Sequence, residues 1–191
     1  MAGDFAAAFE ALGRPLRDML MLDSRVSRGA IAGAVRESGV VLLSGGHVPT
    51  QNAWFRRIAL EKALADYRGI VIGISAGSMN SCDEVYAQPE EPGEALDPGY
   101  RRFIRGLGLT DVMVLPHLRQ VRDNVLDGLR LFEDISVPDS AGREFWAIPD
   151  GSYVLQEYGR AVVYGEAWRV ADGRMEQRCE DGGWLTIRGP V

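Results

Sequence analysis

The chain has 191 residues, 46% of them apolar and 25% charged, a balance that fits one globular domain with a sizeable core and excludes a disordered chain. A formal net charge of −6 argues against nucleic acid or an anionic membrane as partner, because both select basic surfaces. No apolar run approaches the ~18 residues needed to cross a bilayer.

Asp4 near the start, with no basic stretch beside it, does not read as a signal peptide. The only cysteines, Cys82 and Cys179, are too far apart for a CxxC metal pair and too few for a disulfide framework. A cytoplasmic location is therefore expected.

In chain order, residues 4–12 read as a short helix, 16–22 ("LRDMLML") as a strand and 27–38 as a helix. "VVLLSGG" (40–46) is a buried strand running into a glycine pair, and 50–67 carries apolar residues at helical spacing. "GIVIGISAG" (69–77) is an apolar strand ending at a serine between glycines, with a helix expected from Ala76. Residues 88–99 form a proline- and acid-rich loop. "VMVLPH" (112–117) is another strand, 121–135 a helix, and 143–170 alternates strands with tight turns. Strands made of Val, Ile and Leu runs between helices predict a mostly parallel sheet with helices on both faces, extended on one side by C-terminal β-hairpins, in one domain over 1–191.

Gly73-Ile74-Ser75-Ala76-Gly77 fits the G-x-S-x-G nucleophile elbow, where a strand turns sharply into a helix and exposes the serine. Such a serine needs a base, and the histidines are two, His47 and His117. His117 follows a strand directly, so it can meet Ser75 beyond the carboxyl ends of a parallel sheet. Gly45 and Gly46 have no side chains to keep a substrate carbonyl away. The Gly46 and Ala76 N–H groups are thus the expected oxyanion donors. The acid that would orient the imidazole stays open among Glu90, Glu91, Glu94, Asp97 and Asp150. The four tryptophans are expected in the core, and Cys82 beneath the elbow. No metal or organic cofactor is expected.

"VVLLSGG", "GIVIGISAGSMNSC", "VMVLPH" and "AIPDGSYVL" together resemble, in order and spacing, the peptidase E (aspartyl dipeptidase) family and its cyanophycinase relatives. The resemblance implies a flavodoxin-like, class I glutamine amidotransferase-like three-layer sandwich, with Ser75 as nucleophile, His117 as base, and Gly46 and Ala76 at the oxyanion. The family's acid maps onto the Glu90 region or onto Asp150. Members usually carry Asn or Asp after the glycine pair, so His47 would be a new group in the pocket. A preference for N-terminal aspartate would call for a cation, with Arg130 nearest the matching spacing among Arg119, Arg122 and Arg130.

The function expected is a serine peptidase acting on short peptides through an acyl-enzyme, as monomer or homodimer. The alternatives are an esterase or amidase on another small substrate, and a non-catalytic binding module of the same fold.

Overall fold

A computed structural model describes residues 2–23 and 27–189. Helices α1 (Ala2–Ala11) and α2 (Arg28–Glu37) precede strand β1 (Val40–Leu43). Helices α3 (Val48–Arg57) and α4 (Leu60–Leu64) lead to β2 (Ile70–Gly73), α5 (Ala76–Asn80), β3 (Glu84–Tyr86) and β4 (Phe103–Arg105). Then come β5 (Met113–Leu115), α6 (Leu118–Val121), β6 (Val125–Leu126), β7 (Leu129–Arg130), a π-helix (Leu131–Ser136) and α7 (Val137–Asp139). Strands β8 (Glu144–Ala147), β9 (Tyr153–Glu157), β10 (Arg160–Tyr164), β11 (Ala167–Ala171), β12 (Arg174–Cys179) and β13 (Trp184–Arg188) complete the chain. No helix among the described residues is long and apolar enough to cross a membrane.

The fold is mixed α/β. Among the named strands, β1–β2 and β5–β8 pair in parallel and the remaining pairs are antiparallel. One sheet runs β12-β11-β8-β5 and another β13-β10-β9. Parallel pairing of named strands is limited to β1–β2 and β5–β8, less than the Val/Ile/Leu runs predict, while the last third folds into antiparallel hairpins as its alternating strands and turns predict. Phe145 of β8 lies at the centre of the main core, stacked on Tyr86 with centroids 4.5 Å apart and packed with Leu115, Leu118 and Phe132. A second cluster joins Ile31 and Val35 of α2 to Leu43, Phe55 and Leu64.

Four expectations are corrected. Residues 16–22 form no strand; the segment is largely exposed, so it has no buried face to pair. The helix expected over 50–67 is broken at Ala59, which adopts φ 56°, ψ 40° between α3 and α4. The helix expected over 121–135 is instead a short β6–β7 hairpin and the π-helix. Asp127-Gly128, with φ 54° and 84°, makes the two-residue turn that helical spacing overlooked. Trp184 is 63% exposed and not in the core, whereas Trp146 is buried as expected. Cys82 is buried and packs below the elbow, though past the end of α5.

Candidate active site

The parallel register of β1 and β2 brings the first groups together. Leu43 pairs with Gly73, and the Ile74 N–H continues the ladder by donating to the Leu43 carbonyl at 2.9 Å. Two residues further on, Gly45 and Ser75 are neighbours: a Cβ on Gly45 would lie 3.3 Å from Ser75 Cβ and 3.6 Å from its Oγ. Ser75 itself has φ 53°, ψ −123°, a region L-residues rarely occupy.

The elbow is packed so closely that its flanking glycines have no substitute. A Cβ on Gly73 would be 2.7 Å from Ser78 Cα, and one on Gly77 would fall on the Leu43 carbonyl oxygen. Helix α5, packed against β1, β2 and β5, then closes through Ser78 and Met79 N–H groups donating to the Ser75 carbonyl. Ala76, as the first residue of α5, has an N–H with no acceptor inside the helix. Gly46, next in sequence to His47, takes φ +147° and is exposed.

The parallel register of β5 and β8 brings the second pair together. Leu115 pairs with Ala147, Ile148 N–H donates to the Leu115 carbonyl, and Leu118 N–H returns to the Ile148 carbonyl. His117, in the left-handed region at φ 60°, thereby faces the Pro149-Asp150-Gly151 turn. Its Nδ1–H donates to Asp150 Oδ1 at 2.6 Å, and Gln120 Nε2–H donates to Asp150 Oδ2 at 2.7 Å. That leaves Nε2 of a neutral His117 as the free acceptor. The pair is open, with His117 40% and Asp150 58% exposed. Among the described residues no hydrogen bond joins Ser75 Oγ to His117.

Glu90 does not bond His117. Burial raises its carboxyl above the ordinary value, the nearby His47 and His117 imidazoles oppose the rise, and Glu94 and Glu91 add to it. Glu94 is the bonded member of that loop: its Oε2 accepts from the Glu90 and Glu91 N–H groups, and its Oε1 from His47 Nε2 at 2.9 Å. Asp97 only caps its own turn at Gly99 N–H.

Of the candidate cations, Arg130 is closed onto Asp134 through Nε and a terminal nitrogen, Arg119 onto Glu166, and Arg122 lies 4.8 Å over the Trp168 ring. His47, Glu91 and Glu94 place ligand atoms within 4.8 Å of one another, a donor set that sequence spacing missed because His47 lies 47 positions from Glu94. Proximity of His47 to Glu94 had no signal in the sequence beyond each residue's being polar.

No protein-family profile matches the chain, and no curated protein matches it. Among solved structures, the chain resembles the crystal structure of a Listeria monocytogenes EGD-e protein provisionally named peptidase E. The two are 16% identical, with a TM-score of 0.50 over 90% of this chain and 74% of that one. The likeness is one of fold: the chain has a peptidase E-like mixed α/β fold.

Proposed function

We propose that this chain, acting as one domain, is a serine hydrolase that cleaves short peptides through an acyl-enzyme on Ser75. One observation carries the reading: Ser75 holds a strained φ 53°, ψ −123° backbone between a strand and a helix, hemmed by glycines. Strain of about 1–3 kcal/mol persists in a fold only where the surroundings impose it, and it concentrates at reacting groups.

In this reading Ser75 Oγ attacks the peptide carbonyl while His117 Nε2 takes its proton and later gives it to the leaving amine. Asp150 orients the ring through Nδ1 and stabilises the imidazolium. Of the acids the sequence offers, Asp150 is favoured over Glu90 by its 2.6 Å bond to His117. Gly46 and Ala76 N–H groups receive the oxyanion, and the missing side chain at Gly45 admits the substrate beside Ser75. The Ser75–His117 hydrogen bond is expected to close when substrate excludes water, as such contacts tighten on binding. Because Arg130 is held by Asp134, the proposal extends to short peptides and small amides and not to an aspartate preference.

The test is intact mass after fluorophosphonate treatment of the wild type, Ser75→Ala and His117→Ala. A single adduct on the wild type, absent from both variants, is the expected result. An unlabelled, well-folded wild type would reduce the elbow to a structural turn.

A further inference from the structure

The turn that carries the proposed oxyanion donor, Ser44-Gly45-Gly46-His47, is exposed at both glycines and has almost no side-chain mass of its own. Its local ties lie within the helix it enters. Gln51 Nε2–H donates to the Ser44 carbonyl at 2.5 Å, Gln51 N–H to the His47 carbonyl at 3.0 Å, and His47 Nδ1 meets the Thr50 hydroxyl at 2.8 Å. These ties join the turn to α3 and to nothing across the site.

The long-range tie is different in kind. His47 Nε2 bonds Glu94 Oε1 at 2.9 Å, with both side chains mostly shielded, at 20% and 16% exposure. With a carboxylate as partner, Nε2 carries the proton, so Nδ1 of the neutral ring accepts from Thr50. Glu94 is itself immobilised. Its second oxygen holds the Glu90 and Glu91 N–H groups, while Asp127 accepts from the Gly93 and Ala95 N–H groups from the other side. Four backbone N–H groups of the 90–95 loop are thus held before His47 touches it, two by Glu94 within the loop and two by Asp127 outside it.

We infer that the His47–Glu94 clasp is a positioning device that holds the Gly45–Gly46 turn against the anchored 90–95 loop, so that the Gly46 N–H stays aimed beside Ser75. This rests on reading Ser75 as the nucleophile. His47 touches no reacting atom; it acts through the one residue between it and Gly45. Glycine at φ +147° is free to swing, so a rigid next residue is what fixes the direction of its N–H. The chemistry asks for such rigidity because a donor displaced by about 1 Å forfeits up to about 10²-fold in rate.

The experiment measures the second-order rate of fluorophosphonate labelling at Ser75, together with melting temperature, for wild type, His47→Ala, Glu94→Ala, the double variant and His47→Gln. The phosphonyl oxygen occupies the oxyanion position, so the rate reads donor alignment directly. His47→Ala and Glu94→Ala should each label about 10-fold more slowly, the double variant no more slowly than either, because a clasp fails as a unit. His47→Gln, whose amide N–H can reach Glu94, should recover most of the rate. Wild-type rates in the single variants, or effects that multiply in the double, would overturn the inference. So would slow labelling that merely follows a fall in melting temperature and is not rescued by His47→Gln.

Hydrogen exchange separates this from the catalytic reading. If the wild type takes no label, that reading fails. The clasp is still decided by exchange over residues 44–48 in Glu94→Ala, where faster exchange supports it and unchanged exchange sinks it.

Discussion

Strands β1 and β2 run parallel and lead into Gly45–Gly46 and Ser75, whereas β9 to β13 run antiparallel and lead into turns such as Tyr158-Gly159 and Asp172-Gly173. Both regions place residues at positive φ. Tyr158 and Gly159 take 49° and 75°, Asp172 and Gly173 the same values, and Ser75 takes 53°. The surroundings differ. A Cβ at Gly159 or Gly173 would meet nothing within 4 Å, while one at Gly77 would meet the Leu43 carbonyl. At Gly159 and Gly173 the hairpins need glycine only to turn. The parallel region needs it so that strand, helix and turn can close on one serine. Asp150, in the turn between β8 and β9, is where the two regions meet, and there it faces His117.

Variants can break this contrast in order of expected size. On the proposed mechanism, Asp150→Asn should lower turnover of a labelling-competent enzyme by roughly 10²–10⁴-fold, since the wrong imidazole tautomer is favoured. Glu90→Gln, with no bond to His117, should stay within a few-fold of wild type in the same assay. A reversed ranking would move the acid to the loop after α5. Gly77→Ala should destabilise by about 3 kcal/mol or prevent folding, because the new methyl overlaps backbone that cannot give way. Denaturant unfolding would show it, and a near-neutral result would mean that the elbow relaxes. Gly159→Ala should lose only about 1–2 kcal/mol, the strain of a left-handed residue in open space.

The smallest effect concerns acid stability. Burial works against the charge on Glu144, yet hydrogen bonds from Arg169, Arg188 and Trp146 hold its carboxyl below the ordinary value. A lowered folded value means stability that is present above about pH 4.5 and lost as pH falls through the folded value. Melting temperature should therefore drop less for Glu144→Gln than for wild type between neutral pH and pH ~3. Equal drops would show that these ion pairs do not hold the hairpin region in acid.

The strands at 40–43, 70–73 and 113–115 were legible as apolar runs, that at 144–147 as part of a strand-and-turn alternation, and the elbow as glycines at fixed spacing, because all follow from local covalent geometry. Where local signals competed, the reading went astray. Asp127-Gly128 sits inside apolar positions at helical spacing, and its turn preference won; Ala59 breaks a helix with no proline or glycine to announce it. The extent of parallel pairing was overestimated for a related reason: an apolar run states that a strand is buried but not which neighbour it takes.

By itself the sequence determined which chemistry is available: one serine between glycines, two histidines, a glycine pair and a surplus of carboxylates. Only the tertiary structure decided which of these meet. Asp150 bonds His117 because parallel pairing of Leu115 with Ala147 sets their strand ends side by side. Arg130 turns to Asp134, and His47 finds Glu94 across 47 residues. Partner choice among like residues depends on three-dimensional proximity, and composition and spacing carry no record of it.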